Sequence, residues 1–511
     1  MGKPRVIVIG LDGATFDLII PWVSEGRLPN LGRMMEEGAW GRLQSTIPPV
    51  TPCAWTSFKT GVNPGKHGIF DFYYLDENRQ QRVNFNRFHE YKSIWRILSE
   101  NGLRCCIYNV PFTFPPEKVN GVMISGLMTP STRSNFTYPP DFREELLSAI
   151  PDYRISARAR FSEREADARA YLEELFRLAD MRNRTARYLL GREPWDFFMM
   201  VFNETDFVQH WFWKYIDPHH PDYCEEGRSR YGDSIFEIYR LMDEYIGRFL
   251  EFVDEDTLLL IMSDHGAGPF IKRIYINNWL KKRGYLKLRK TPGTLIKRIL
   301  YKVGLHPQAV INLIFKLGLA RIETKVSLNR KKSIFSKIGY TFDDIDWKRT
   351  TAFSFGSYGQ IYLNSVENHP GGIVGVEEIP RIREEIVTGL KGIIDPDRGL
   401  HILDRVWYRD DIYQGPNRNL LPDITLSLDD FSYSSSTLFA LPSNDIFSRP
   451  LTRKSGDHRI DGVVLAYGDR VKEGLVLENP GIMDITPTIL DFFDLEVPRE
   501  MDGIPLDEIF K

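Results

Sequence analysis

The sequence predicts an α/β protein with a mostly parallel sheet and an inserted α+β cap. Three observations predict it. Over residues 1 to about 275, short apolar runs alternate with segments of helical period, the pattern of βαβ units. The runs are continuously apolar, as strands covered on both faces are. Three of them deliver acids to their ends: VIVIGLDG reaches Asp12, DFFMMVFNETD reaches Asp206, and TLLLIMSDH reaches Asp264 and His265. In an open α/β sheet, ligands bind beyond the carboxyl ends of the strands.

The elements follow in order. RVIVIGLD is the first strand, and Thr51, after the proline-rich IPPV, reads as a helix N-cap. RCCIYNV is a second strand. The stretch from Ser162 to Leu190, rich in Ala, Glu, Leu and Arg, is a helix. DFFMMVF is a strand, and DFVQH sets Asp206 and His210 four apart, on one face of the helical turn that follows. TLLLIMSD is the next strand, and after Gly268 the alternation stops. From about 281 to 345, TLIKRILYKVG and AVINLIFKLGLA read as two short amphipathic helices; from about 350 to 400, AFSFGSYGQIYLN and IPRIREEIVTGL read as a small α+β piece. The core then resumes through ITLSL, VVLAYG and ITPTILDFFDLEVP. The expected division is therefore core over 1–280, cap over 281–400 and core again over 401–511.

At 511 residues the chain exceeds one ordinary domain. With 42% hydrophobic and 26% charged residues, it has the composition of a globular enzyme rather than a disordered chain. A net charge of −3 gives no global reason to expect specific nucleic-acid binding. The charge is uneven, however. Between Lys281 and Lys337, sixteen Lys or Arg stand against one acid, Glu323, a local charge near +15 that leaves the rest near −18. Such a segment reads as a solvated helical face, as a surface that recruits a phosphate-rich substrate, or as a peripheral membrane contact through 281–337. Cys53, Cys105, Cys106 and Cys224 have no CxxC spacing, which argues against a disulfide framework or a cysteine-built zinc site. MGKPRVIVIGLDG runs straight into a strand without signal-peptide organisation, and no apolar stretch reaches the roughly 18 residues of a membrane span. The expected location is cytoplasmic. Nothing in the sequence sets the oligomeric state.

Carboxylates and imidazoles gathered at one sheet edge suit zinc or a similar divalent metal. His89, His219, His220, His306 and His401 have no motif around them, and His67 in PGKHGI reads as a brace for a turn. Trp55, Phe72 and Tyr73 read first as core. The glycines of GLDGAT and DHGAG make no GxGxxG fingerprint, so no nucleotide cofactor is implied.

Taken in order, GLDG, PPVTPCAWTSFKTGVNPGKHGI, DFVQH, SDHGAG, GDHR and MDITPTILDFFDLEVPREMDGIPL resemble the alkaline phosphatase superfamily, and within it the type I phosphodiesterase/nucleotide pyrophosphatase branch. The resemblance covers roughly 1–275 and 400–511. It implies a three-layer α/β/α sandwich of the alkaline phosphatase type. It also implies that Asp12, Thr51, Asp264 and His265 hold one divalent metal and that Asp206, His210 and His458 hold a second, zinc being the first choice and manganese the next. Thr51, nine residues before the TG of KTGVNPGKHG, would be the nucleophile of a covalent, double-displacement cycle. The chain departs from the family where Asn and His usually follow the nucleophile by three and four residues; here Ala54 and Trp55 stand there. An Asn usually found just after HGI is replaced by Phe72, beside Asp71.

The expected function is hydrolysis of a phosphodiester or pyrophosphate bond in a nucleotide-like or lipid-linked substrate. A phosphomonoesterase or phosphomutase of the same superfamily is the alternative, though Thr51 counts against the serine-using mutases. A sulfatase fits less well, since Cys53 comes two residues late and lacks the accompanying Arg. Phosphoethanolamine transferases share a threonine nucleophile but carry a membrane anchor. The non-enzymatic alternative is a catalytically silent descendant that binds a ligand or partner.

Overall fold

The computed structural model describes residues 4–84, 90–316, 337–435, 441–449 and 454–511. The chain forms two compact units, one built from 1–72, 84–269 and 455–511, the other from 73–83 and 270–454.

The first unit is organised by a nine-stranded sheet. Its strands are β1 (Arg5–Leu11), β2 (Ala39–Gln44), β3 (Cys105–Tyr108), β4 (Gly121–Ile124), β5 (Thr137–Tyr138), β6 (Phe197–Phe202) and β7 (Thr257–Met262). A two-stranded ribbon of β8 (Gly266–Pro269) and β9 (Gly456–Arg459) follows, and β10 (Asp461–Tyr467) and β11 (Leu475–Val476) complete the sheet. The spatial order is β11-β2-β10-β7-β1-β6-β3-β4-β5. The run from β7 to β4 is parallel throughout; β10 runs antiparallel to both its neighbours, and β5 to β4.

The apolar runs explain this layering. Along β1, β6 and β7, alternate residues enter two separate hydrophobic clusters: Ile7, Ile9, Phe198, Met200, Leu259 and Ile261 face one side, Val6, Val8, Phe197, Met199, Leu258 and Leu260 the other. Both faces must then be covered. One is closed by α2 (Glu165–Arg192), α3 (Glu204–Phe212) and α4 (Ser234–Leu250), the other by α1 (Thr51–Thr60) and the helices Ile94–Glu100 and Ile485–Phe492. Each fully buried aliphatic or aromatic side chain here contributes about 1.5–3 kcal/mol relative to exposure. The result is the expected three-layer α/β/α sandwich. Gly10 lets α1 lie close against β1, since a Cβ there would come within 2.8 Å of both the Trp55 ring and Val201. Trp55 itself is fully buried, as core.

The second unit contains a four-stranded antiparallel sheet ordered 352–354, 361–363, 424–428, 403–408, with the helix Ile379–Lys391 supplying Ile382, Ile386 and Leu390 to its core. Two helices, α5 (Pro292–Lys302) and α6 (Pro307–Lys316), occupy the described part of the basic segment; residues 317–336 lie outside the described residues. The unit is wider than the expected 281–400. It begins at Phe270, extends to Lys454 and takes in the hairpin Tyr73–Val83. ITLSL, expected in the core, pairs instead with 361–363 and 403–408 in this unit; of the two returning strands only VVLAYG joins the main sheet, as part of β10. A short buried strand carries no address in its own residues, so periodicity alone cannot say which sheet receives it.

Both excursions of the chain into the second unit leave and return at paired backbone positions. Pro269 and Gly456 are register partners in the β8–β9 ribbon, and Asn84 N–H donates to the Phe72 carbonyl at 2.7 Å. Among the described residues no helix is long and apolar enough to cross a membrane.

Candidate metal centre

The strand register sets the site. β1 pairs with β6 so that Leu11 lies beside Phe202, and with β7 so that Gly10 lies beside Met262. All three strands therefore stop at one edge. Asp12 follows β1, Asp264 and His265 follow β7 by two and three residues, and α3, which begins two residues after β6, carries Asp206 and His210 on one face. The ribbon brings in the last member: Ala267 of β8 is the register partner of His458 of β9.

Six of the seven sequence-selected residues fall into two groups of mutually close donor atoms, Asp12–Asp264–His265 and Asp206–His210–His458. The groups adjoin. His458 stacks on His265 with ring centroids 3.6 Å apart and on His210 at 5.2 Å. The seventh residue, Thr51, places Oγ1 3.3 Å from His265 Nε2. Thr51 does not take the capping role expected of it: the N-cap of α1 is Val50, and Thr51 is the first helical residue. Pro52 has no N–H and Ala54 N–H bonds to Val50 O, leaving the Thr51 and Cys53 N–H groups as donors at this helix start.

Each histidine is fixed in the same manner. Nδ1 of His265 lies 2.9 Å from Gly266 O, Nδ1 of His210 lies 3.0 Å from Gly456 O, and Nδ1 of His458 lies 2.8 Å from Pro49 O. A carbonyl only accepts, so the neutral ring carries its proton on Nδ1 and presents the Nε2 lone pair. All three Nε2 atoms face carboxylates: His265 lies 3.3 Å from Asp264 Oδ2 and 3.7 Å from Asp12 Oδ1, and Asp206 Oδ1 lies 3.2 Å from His210 and 3.6 Å from His458.

Two of the acids are divided in function. Asp12 Oδ2 accepts from Asn203 Nδ2 at 2.6 Å, while its Oδ1 is buried without a hydrogen-bond donor. Asp264 Oδ1 accepts from Gly13 N–H at 3.2 Å, while its Oδ2 is likewise buried without one. Gly13 reaches this position in the left-handed region, φ +67°, and its carbonyl accepts from Gln209 Nε2 at 2.8 Å. Gln209 Oε1 in turn accepts from Tyr239 OH at 3.0 Å, so the loop after β1 is tied to α3 and α4.

The electrostatics follow from burial. Asp12 is pushed up to about 8 by desolvation and then by the nearby charge of Asp206. Desolvation and then Asp12 raise Asp264 well above the carboxylate range, and burial followed by His458 holds His265 well below the usual imidazole value. Buried acids whose oxygens meet imidazole lone pairs are uncompensated unless a proton or cation sits between them. Oxygen and nitrogen donors without sulfur match a divalent ion of the zinc or manganese kind. The residues present therefore fit two metal ions.

His67 stands apart from this centre. Its Nδ1 accepts the Ile69 N–H at 3.1 Å, so Nε2–H donates to Ser57 Oγ at 2.9 Å and braces the turn after α1. Asn203 and Gln209, which orient the candidate ligands, are not legible in the sequence as site residues. Asn203 sits within NETD with no motif of its own, and only the β1–β6 register makes it the neighbour of Asp12.

The sequence profile of the type I phosphodiesterase / nucleotide pyrophosphatase family matches residues 6–332, which spans Asp12 through His265 and leaves out His458. No curated protein sequence matches the chain. Among solved structures, murine ectonucleotide pyrophosphatase / phosphodiesterase 5, as an inactive threonine-to-alanine variant in complex with AMP, is similar at 11% identity over 100% of both chains, with a TM-score of 0.50. The human protein of the same name aligns at 12% identity over 98% of this chain and 97% of its own, with a TM-score of 0.49. At these identities the likeness to the murine structure speaks for the fold.

Proposed function

The chain belongs to the type I phosphodiesterase / nucleotide pyrophosphatase family and is a phosphohydrolase of that kind, and from that premise we propose that it cleaves phosphodiester or pyrophosphate bonds of a nucleotide-like substrate with Thr51 as nucleophile. Asp12, Asp264 and His265, with Thr51, would hold one divalent ion, and Asp206, His210 and His458 the other, zinc before manganese. The observation that carries this reading is the convergence of three Nδ1-anchored imidazoles on carboxylate oxygens, with Asp12 Oδ1 and Asp264 Oδ2 buried and lacking donors.

Bound ions would supply positive charge that eases ionisation of the threonine hydroxyl and of water and offsets charge on the phosphoryl and leaving oxygens. The chain does the rest by position. Thr51, at the first turn of α1, offers Oγ1 beside His265. Its oxygen bonds to phosphorus as the ester oxygen opposite departs; the hydroxyl proton is lost to solvent and the leaving oxygen recovers one. Water then adds across the Thr51 O–P bond and restores the hydroxyl. Cys53 N–H, at the positive end of α1, is placed to donate to a phosphoryl oxygen. A nucleoside monophosphate is one product such cleavage leaves, and AMP is the ligand named for the murine neighbour.

The test is hydrolysis of p-nitrophenyl esters by zinc- or manganese-loaded protein, comparing a nucleotide phosphodiester, a phosphomonoester and a sulfate, with Thr51→Ala beside the wild type. Diester cleavage, lost in Thr51→Ala while two metals per chain are kept, is the expected result. Preference for the monoester would move the chain to the phosphatase or mutase reading. Two bound metals with no turnover of any ester would identify a silent descendant.

A further inference from the structure

Helix α5 is turned inside out. A surface helix of a globular unit ordinarily buries its aliphatic stripe and exposes its polar one. In α5 the inward positions are Thr294, Lys297 and Tyr301, spaced three and four apart. Thr294 Oγ1 donates to Asp344 Oδ1 at 3.3 Å, Lys297 Nζ pairs with Asp344 Oδ2 at 2.7 Å, and Tyr301 OH donates to the Leu441 carbonyl at 2.6 Å. Leu295, Ile296, Ile299 and Val303 lie on the opposite face and are 49% to 64% exposed. Leu305 beyond the helix and Leu313 on α6 are exposed as well.

The inversion is held in place. Asp344, bonded to both Thr294 and Lys297, also accepts the Thr341 N–H at 2.9 Å, so the polar face is anchored and the helix cannot roll to hide its leucine and isoleucines without leaving Lys297 and Asp344 unpaired. Large aliphatic side chains clustered in solvent mark a surface that is covered in use. The flanking charge says by what. From Lys281 to Lys316 there are ten Lys or Arg and no Asp or Glu. Lys297 is drawn inward to Asp344, whereas Lys282, Arg283, Arg289, Lys290, Arg298 and Lys302 are exposed.

We propose that α5 docks the protein on an anionic lipid bilayer surface, with Leu295, Ile296, Ile299 and Val303 entering the headgroup–acyl boundary and Arg298 and Lys302 meeting lipid phosphates. An aliphatic ridge bordered by cations of one sign has the chemistry of an interfacial helix lying in the plane of a membrane. Each cation brought to such a surface strengthens attachment about fivefold. The contact is peripheral and rests on the second unit alone, independent of the metal centre.

The experiment is co-sedimentation of the full-length, metal-loaded protein with vesicles of phosphatidylcholine alone or mixed with phosphatidylserine, at low and high salt. Wild type is expected to sediment with the anionic vesicles, more weakly at high salt and weakly with phosphatidylcholine alone. Ile296→Asp/Ile299→Asp should lose binding by more than about tenfold, since an apolar anchor is removed and negative charge is added beside an anionic surface. Arg298→Gln/Lys302→Gln should lose roughly twenty-five-fold by the per-cation figure. All four positions are exposed, so thermal unfolding and hydrolysis of soluble ester should not change. Failure of wild type to bind anionic vesicles would overturn the proposal, as would binding indifferent to Ile296→Asp/Ile299→Asp. A wild-type dimer in sedimentation velocity that Ile296→Asp/Ile299→Asp dissolves, with no vesicle binding, would assign the ridge to a second copy instead.

Discussion

Asn203 donates from Nδ2 to Asp12 Oδ2 at 2.6 Å, and Asn203 Oδ1 itself accepts from Asn109 Nδ2 at 3.1 Å. This chain of amides holds one oxygen of Asp12 so that the other faces Asp264 and His265. Removing it by Asn203→Ala is expected to weaken metal binding at that group about ten- to a hundredfold, the usual effect of an orienting partner. A competitive chelator titration reads the loss; unchanged affinity would mean that packing alone orients Asp12.

Direct donors should matter more, and selectively. His210→Ala and His265→Ala each take an imidazole from a different group. Each variant is expected to bind one metal tightly rather than two, measured by elemental analysis after gel filtration, and to lose more than about a hundredfold in ester turnover, beyond the range of an orienting partner. Retention of both metals in either variant would contradict the assignment of that histidine.

Because the candidate ligands span the chain from Asp12 to His458, metal held by them would bind the folded protein far better than the unfolded one. At free metal about a thousandfold above Kd, binding stabilises by about 4 kcal/mol per site. Chelation should lower the unfolding temperature and readdition restore it, as differential scanning calorimetry would record. An unfolding temperature indifferent to chelator would remove the two ions from the fold.

His67 makes stability sensitive to acid. Burial, and then the nearby Lys59 charge, lower it from 6.5 to about 3. The unfolded chain takes up this proton below pH 6.5 while the folded chain refuses it until about pH 3, so the contribution is present above pH 6.5 and is lost as pH falls between those values. The loss is about 1.4 kcal/mol per pH unit across that window. His67→Gln should be less stable at pH 8, having lost a fitted pair of hydrogen bonds, yet decline less steeply from pH 6.5 to 4 in urea unfolding. A parallel decline would place the acid sensitivity elsewhere.

The start of α3 depends on a buried ion pair. Arg182, on α2, meets Glu204 with side chains 2% and 0% exposed, and its Nη2 also donates to Ile155 O at 3.0 Å. Arg182→Ala leaves a buried carboxylate whose pKa is already raised by desolvation, and should cost about 3–5 kcal/mol. Arg182→Met with Glu204→Leu should recover most of that, compared by denaturant unfolding. An equal loss in single and double variants would show that shape rather than charge is at stake.

Much of the candidate centre is legible because Asp12, Asp264 and His265 sit just past continuously apolar strands, and because Asp206 and His210 are spaced by one helical turn. These are local signals. What failed was set by pairing between distant segments. Asn203 acquires its role from the β1–β6 register, ITLSL went to a different sheet from the one expected, and the hairpin at 73–83 joined the second unit across nearly two hundred residues of chain. Thr51 looked like a cap, but Val50 supplies the extended residue before the helix. The amphipathic period of α5 was plain in TLIKRILYKVG; which side faced inward was not, because that choice belongs to Asp344 and Leu441, far along the chain.

The paired crossings at Pro269–Gly456 and Phe72–Asn84 give the architecture the character of a cassette. A segment whose two ends are already side by side can be lengthened, shortened or exchanged at small entropic cost. The ribbon that closes one crossing is the same one that delivers His458, so the host keeps its chemistry as long as that ribbon stays zipped. The stretch from 270 to 454 can therefore vary in length while Pro269 and Gly456, and with them the register of His458, keep their pairing.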